Sequence, residues 1–165
     1  MQIGEGFAGS GAEAAHVNTV LGAKDGPVGT AWVTALATPR LGHAPFVVVA
    51  RPNLPVKPFT LFVNKAAVDT DKGVRHAHLT WGAAQAGVAA GVIAAGQRRV
   101  LRADELESLL LIAAVWVDPN ANDDELVFAN NQAATLAALS AGHDGLPRAA
   151  DVAASGAPHN PFFRP

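Results

Sequence analysis

Apolar and polar positions alternate over AAHVNTVLG (residues 14–22), which predicts a β-strand that ends at a glycine. Side chains of a strand point to opposite faces in turn, so His16, Asn18 and Val20 share one face. The residues between them form the other face. A single histidine in so apolar a strand is either a structural core residue, a surface residue, or a candidate proton donor.

The pattern elsewhere predicts three further strands, over residues 45–50, 60–68 and 109–117. The first and last are continuous apolar runs, which is typical of strands buried on both faces. Residues 2–13 are rich in glycine and predict a loop with at most a short opening strand. Three prolines at positions 52, 55 and 58 predict a stiff, extended loop, and DTDKG (69–73) predicts a polar turn.

Helices are predicted after Pro27 over residues 30–38, and then over residues 78–97, 102–108 and 121–145. The last helix has the clearest signals. Asn122 and Glu125 resemble a capping box, and Gly142 stands where a glycine after the helix end belongs. The order of elements favours a two-layer α+β domain over residues 1–165, with helices covering one side of a sheet.

The helix predicted over residues 78–97 contains glycines at positions 82, 87 and 91. Each costs up to about 1 kcal/mol relative to alanine in a helix interior. We therefore expect close packing against another backbone or against a ligand at these positions.

Composition excludes several kinds of chemistry. The chain has no cysteine, so disulfides, thiolate metal sites and thiol nucleophiles are excluded. A net charge of −2 with scattered basic residues argues against a nucleic-acid partner. The longest apolar run, LLLIAAVWV, is too short to span a membrane, and the N-terminus lacks the pattern of a secretory signal. We expect a cytoplasmic protein without a membrane partner.

General motifs do not identify an activity. The glycine-rich stretches GSGAEAA and GEGFAGSG lack the strand and helix context of a phosphate loop, and no serine nucleophile elbow is present. For His76 and His78, a solvated position is the simpler interpretation than metal binding. For Asp69 and Asp71, the simpler interpretation is that they are turn residues. Lys57 is compatible with a solvated position among the prolines.

Three stretches together resemble the formaldehyde-activating enzymes: GEGFAGSGAEAAHVN, ARPNLPVKPFTLFVNKAAV and WGAAQAGVA. The tail motif HNPF is similar to the family's His-Pro-Phe ending. The resemblance implies condensation of formaldehyde with tetrahydromethanopterin to methylene-tetrahydromethanopterin and water. It also implies a fold similar to the second domain of ribosomal protein S5. The cofactor site would lie between subunits of a homopentamer, without a metal or a tightly bound cofactor.

The resemblance also assigns residues. His16 matches the family's proton donor, and Lys65 and Gln85 match contacts to the pterin. Three other positions carry a different residue from the family's: Asn18 in place of aspartate, Val47 in place of leucine, and Ala67 in place of threonine. Lys65 can bind a carbonyl or carboxylate or be a solvated strand end. Gln85 can bind the edges of a pterin or cap backbone groups.

The implied reaction needs a proton donor, because the carbinolamine formed by formaldehyde and an amine must lose its hydroxyl group. A free histidine has a pKa of about 6.5 and can give and recover a proton near neutral pH. His16 is therefore the candidate general acid.

The departures at Asn18 and Ala67 leave two alternatives open. Asparagine removes a negative charge near His16, so an imidazolium would lose a stabilising partner. The first alternative is a slower enzyme on the same substrates. The second is a weakly catalytic or non-catalytic paralogue that binds a reduced pterin or folate, or that senses formaldehyde. A third hypothesis, RNA binding, follows only from the ribosomal likeness of the fold, and the charge of the chain argues against it.

Overall fold

The computed structural model describes residues 1–68 and 74–160. Seven strands are formed: β1 (Gln2–Ala8), β2 (Ala15–Ala23), β3 (Phe46–Val47), β4 (Val49–Arg51), β5 (Leu54–Pro55), β6 (Phe59–Asn64) and β7 (Leu109–Trp116). The main sheet has five strands in the order β1-β2-β7-β6-β3, and β4 pairs with β5 separately. Strands β6 and β7 are parallel, whereas the other neighbours in the main sheet are antiparallel.

The helices are α1 (Pro27–Ala37), α2 (Val74–His78), α3 (Gln85–Gln97), α4 (Ala103–Ser108), α5 (Asp124–Asp144) and α6 (Ala149–Ala153). A π-helical segment, Leu79–Ala84, joins α2 to α3. The excursion through α2, α3 and α4 carries the chain from β6 to the parallel strand β7, as a parallel connection requires. Mixed helices and strands in this arrangement confirm the predicted α+β class.

The two faces of the sheet have different partners. The back face, which carries Val17, Leu111 and Val115, packs against α3 and α5 and forms the main core. The front face carries His16, Asn18 and Val20, and among the described elements α1 packs on one end of it. The prediction that helices cover one side of the sheet is correct for the long helices and wrong for α1. Its Val28 and Trp32 bury apolar surface on the front instead.

Strand β1 lies where the sequence predicts mainly a loop. Its alternate residues Gly4 and Gly6 touch the backbone of α5: a Cβ atom would lie 1.8 Å from the Ala138 carbonyl oxygen at Gly4 and 2.1 Å from the Ala134 carbonyl oxygen at Gly6. Glycine, normally unfavourable in strands, is therefore required here for close approach. That tertiary contact is why the loop prediction for residues 2–8 is wrong.

Two other predicted strands differ in extent. The run over residues 45–50 forms two short strands, and Val48 between them is fully buried. The strand predicted over residues 60–68 ends at Asn64, whose side-chain amide donates to the carbonyl oxygens of Gly42 and Ala66. The turn predicted at 69–73 lies outside the described residues, as do the adjacent phenylalanines at 162 and 163.

Helix α5 confirms the predicted helix but not its ends. Its N-cap is Asp123, whose carboxylate accepts from the Leu126 amide, rather than Asn122. The helix continues through Gly142 and ends at Gly145, which has a left-handed φ of 65°. Gly142 instead lies against the backbone of β1, where a Cβ would be 3.3 Å from the Ile3 carbonyl oxygen.

The continuous helical segment over residues 74–97 is, by length and composition, apolar enough to cross a membrane. Just over half of its most apolar window is buried inside the fold, as in a core helix. A Cβ at Gly87 would lie 2.4 Å from the Phe128 carbonyl oxygen, and one at Gly91 2.6 Å from the Thr135 Cβ. Close packing is confirmed at these two positions, against α5. At Gly82 no described atom of the chain lies within 4 Å of the Cβ position, so packing against another backbone of this chain is not the reason for that glycine.

Two side chains expected in solvent have partners instead. His76 is buried, and its Nε2 lies 3.1 Å from the carbonyl oxygen of Val117, whereas His78 is exposed as predicted. The Lys57 ammonium donates to Glu107 at 2.8 Å, and this hydrogen bond lowers the pKa of the Glu107 carboxyl. The proline-rich loop is thus attached to α4.

The space around each glycine predicts different effects for two substitutions, one at the contact between β1 and α5 and one outside it. Gly6→Ala forces a methyl group into the backbone of α5 and should lower the free energy of unfolding by about 1–3 kcal/mol. Gly82→Ala adds the same methyl group in open space within a helix and should be neutral or stabilising by up to about 1 kcal/mol. Urea denaturation measures both. Equal stability of the two variants would contradict the role given to Gly6.

Candidate active site

His16 lies on β2, the second strand of the sheet, with β1 on one side and β7 on the other. Its neighbours Ala15 and Val17 are fully buried in the core, while the His16 side chain is 42% exposed on the front face. The alternation that the sequence predicts for this strand is confirmed. His16 is therefore not a core histidine, and its imidazole is accessible for chemistry.

The carboxylate of Glu5 lies beside this imidazole. Glu5 Oε1 is 3.0 Å from His16 Nε2, and the Glu5 side chain is 60% exposed. Phe7, the residue paired with His16 across the strands, has its ring centroid 6.2 Å from the imidazole at an angle of 57°. One face of the histidine is thus bounded by an aromatic ring and one nitrogen by a negative charge.

The sequence alone does not single out Glu5, because the glycine-rich residues 2–13 predict mainly a loop. The signal is nevertheless in the chain. Glycine, glutamate and glycine alternate over residues 4–6, and in a strand this spacing places Glu5 on the face opposite to the two glycines. The glycines face α5, so Glu5 faces the front with His16.

Two rows of residues cross the front face at this point. In the first row Phe7 pairs with His16, and His16 pairs with Trp116. Lys65 continues this row beside Trp116, because its amide donates to the Val115 carbonyl oxygen at 2.8 Å, immediately after the pair formed by Asn64 and Val115. Two strand spacings separate the backbones of His16 and Lys65, which is roughly 10 Å.

The second row contains Asn18, which pairs with Glu5 on one side and Ala114 on the other. Asn18 therefore shares the front face with His16, as the alternation predicts. Its amide carries no charge, so the carboxylate beside His16 does not come from position 18. Glu5 supplies that charge from the neighbouring strand.

Val47 and Ala67 lie toward the far edge of the same sheet. Val47 pairs with Leu61 and packs in the cluster that α1 covers. Ala67 is exposed after the end of β6, against the turn at Gly42, where a Cβ would lie 3.0 Å from that of Ala67. Val47 thus shares the front face with His16, while Ala67 extends the Lys65 end of it.

Gln85 is not brought to His16. It is the first residue of α3, in the helical layer behind the sheet, and only 8% of it is exposed. Its Oε1 accepts a hydrogen bond from the Val49 amide at 2.8 Å, so its side chain caps a backbone group of β4. The sheet lies between the layer that holds Gln85 and the front face. Within one chain, His16 and Lys65 therefore share a surface that Gln85 does not.

The open part of the front face offers binding groups but no enclosing wall. Helix α1 covers the end near Val28 and Trp32, and at the other end, in the part of the chain that the structure describes, the His16 side chain is 42% exposed. Among residues 1–68 and 74–160, no group of three or more histidine, aspartate and glutamate side chains is placed to hold a metal ion. The arrangement suits proton transfer by an imidazole on a ligand held against the sheet.

Comparison with known proteins identifies the family. The family model described as formaldehyde-activating enzyme (Fae) matches residues 3–162. The bifunctional enzyme Fae/Hps of Methanococcoides burtonii is 40% identical over 147 residues, which are 89% of this chain and 36% of that protein. The corresponding protein of Methanosarcina barkeri is 39% identical over 146 residues, 88% of this chain and 36% of the relative.

A shorter relative is covered more fully. The 5,6,7,8-tetrahydromethanopterin hydro-lyase of Methanosarcina barkeri is 37% identical over 145 residues, which are 88% of this chain and 80% of that protein. The chain therefore spans most of this relative and about a third of the bifunctional ones. On the match along nearly its whole length, the chain belongs to the formaldehyde-activating enzyme family.

Proposed function

We propose that this protein condenses formaldehyde with tetrahydromethanopterin to give methylene-tetrahydromethanopterin and water, with His16 as the general acid. One observation carries the proposal: in a chain of this family, the imidazole of His16 is exposed on an open sheet face with a carboxylate 3.0 Å away. An exposed imidazole beside a carboxylate is suited to giving and recovering a proton.

The chemistry balances without any other reactant. A ring amine of the pterin adds to formaldehyde and forms a carbinolamine. The imidazolium of His16 gives a proton to the hydroxyl group, the C–O bond breaks, and water leaves as an iminium forms. The second amine closes on the iminium carbon and loses a proton, which restores the imidazolium. General acid catalysis of this kind contributes roughly 10²–10⁴-fold.

The remaining predicted residues serve as the pterin site. Lys65, in the same row as His16, binds a carbonyl or carboxylate oxygen of the pterin. Asn18 offers an amide on the same face, and Val47 and Ala67 supply apolar contacts toward the far edge. The pterin is a co-substrate that leaves as product, so the site needs no tightly bound cofactor and no metal.

The proposed site is completed by a second copy of the chain. Gln85 lies in the layer behind the sheet, and the His16 end of the front face is uncovered. A neighbouring subunit that presents its Gln85 to this face would bring the two residues together and enclose the pterin. This arrangement fits a homopentamer of single-domain chains with the fold of the second domain of ribosomal protein S5, as the family resemblance implies.

A second candidate function is favoured by two residues. Asn18 carries no charge where the family has an aspartate, and Ala67 has no hydroxyl group where the family has a threonine. The protein would then bind a reduced pterin or folate, or a formaldehyde adduct, with little or no acceleration of the reaction. Binding without catalysis distinguishes it from the enzyme.

Replacement of His16 tests the proposed catalysis. His16→Ala should lower the protein-dependent rate of methylene-tetrahydromethanopterin formation by at least about 100-fold, because the hydroxyl group then leaves without a proton donor. The rate is followed spectroscopically and corrected for the spontaneous reaction. His143→Ala is the matched control, because His143 is an exposed histidine in the last turn of α5 and should leave the rate unchanged.

Equal rates with and without the wild-type protein would contradict the enzyme. Calorimetry then decides the alternative. Micromolar binding of tetrahydromethanopterin without acceleration supports the binding module, and absence of binding contradicts both functions.

Mixing two inactive variants tests whether the site forms between subunits. His16→Ala and Gln85→Ala should each be inactive alone. When the two variants are co-expressed and assemble at random, about a quarter of the interfaces combine an intact His16 of one subunit with an intact Gln85 of its neighbour. About a quarter of the wild-type activity should therefore return. The measurement is the rate per subunit of hetero-oligomers purified through two different tags.

A site built within one chain would give no recovery, because every chain lacks one of the residues. Because Gln85 also caps the Val49 amide, Gln85→Glu, which keeps an acceptor oxygen, is tested beside Gln85→Ala. Thermal unfolding of each variant confirms that loss of activity is not loss of fold.

A further inference from the structure

Glu5 contacts the proposed general acid, and the proposed function does not say how this carboxylate acts on the imidazole. We propose that Glu5 is a positioning residue that holds the proton of neutral His16 on Nε2, so that Nδ1 is the nitrogen that exchanges the catalytic proton. This inference rests on the proposed function of His16 and specifies which atom of the imidazole meets the substrate.

The packing of β1 determines the direction of the Glu5 side chain. Gly4 and Gly6 are in contact with the backbone of α5, so β1 is anchored on its back face. The alternation of the strand then directs Glu5 to the front face. Its pairing with Asn18 places it two residues out of register with His16, a diagonal position that is within reach of a glutamate side chain.

Electrostatics select the nitrogen. Glu5 Oε1 lies 3.0 Å from His16 Nε2. If Nε2 carried no proton, its lone pair would face the lone pairs of a carboxylate oxygen at this distance. A proton on Nε2 removes the repulsion and places a positive partial charge toward the carboxylate. The other ring neighbour is Phe7, whose ring centroid lies 6.2 Å from that of the imidazole and which carries no charge.

Apart from Glu5, the described residues that lie beside His16 on the neighbouring front-face positions carry no formal charge. On the front face, Asn18 and Trp116 flank His16 without formal charge. Lys65 lies two strands away from His16, roughly 10 Å along the row. Among these neighbours, the carboxylate of Glu5 is the charge that acts directly on the imidazole.

The proton balance assigns each nitrogen a step. The imidazolium carries protons on both nitrogens, and Nδ1 gives its proton to the departing hydroxyl group, which leaves as water. The neutral ring keeps the proton on Nε2, facing Glu5. When the second amine of the pterin closes the ring, its proton returns to Nδ1. Glu5 stays ionised throughout and forms no bond to the substrate.

The first test reads the imidazole directly by ¹⁵N NMR of the neutral ring. The His16 signals among the six histidines are assigned by their loss in His16→Ala. The wild-type protein should show the proton on Nε2. Because an isolated histidine already favours that tautomer, the diagnostic result is the change: in Glu5→Ala the ring nitrogen shifts should move toward the values of a free histidine.

The second test is kinetic and uses three variants. Glu5→Ala removes the side chain, and Glu5→Gln keeps its size while removing the charge. Both should lower kcat by about fivefold, as expected for loss of an exposed ion pair, while KM for tetrahydromethanopterin stays within about twofold. Glu125→Gln, the same change at an exposed glutamate on α5, should alter neither constant. Thermal midpoints of all variants should be unchanged.

Three results would overturn the inference: a proton on Nδ1 in the neutral wild-type ring, identical His16 nitrogen shifts in wild type and Glu5→Ala, or full kcat in both Glu5 variants. Failure of the proposed function has a different signature. The wild-type protein would then give no acceleration, which ends the catalytic role of Glu5. The NMR spectra still decide whether Glu5 controls the tautomer.

Discussion

The backbone contact between β1 and α5 is the constraint on which the candidate site depends. Gly4 and Gly6 let the first strand approach the carbonyl groups of Ala138 and Ala134 more closely than any residue with a Cβ would allow. This approach fixes which face of β1 is buried. A slip of one residue would exchange the two faces and remove Glu5 from His16. Packing on the back of the sheet therefore determines the electrostatics on its front.

Helix α1 packs on one end of the front face, and the candidate site lies on the more exposed part of that face. Helix α1 covers one end of the front face through Val28 and Trp32, and the row that contains His16 lies beyond it. A half-covered apolar sheet face is a surface that a ligand or another subunit can complete. The position of Gln85 behind the sheet agrees with this proposal, because one chain alone supplies the acid without the glutamine.

Charge near the histidine comes from a different strand than the family resemblance implies. Asn18 occupies the position of an aspartate and is neutral, while Glu5 brings a carboxylate to 3.0 Å from the imidazole. Neighbouring strands make such a contact possible because residues offset by two positions in the register share a face and are within reach of long side chains. The proposed acid and its partner are thus held by a sheet rather than by a loop, which favours a fixed geometry.

The sequence by itself determined the α+β class, the strand that carries His16, the faces of its side chains and the existence of the long helices. Local patterns encode these features: the alternation of apolar and polar residues at 14–22, and the helix-end signals of the segment 121–145. The family motifs further assigned His16, Lys65 and Gln85. Only the tertiary structure decided that residues 2–8 form a strand, that Gly142 lies inside α5, and that Gln85 lies behind the sheet. In each case the deciding contact joins segments far apart in the chain, such as Gly6 with Ala134, and no local pattern contains it.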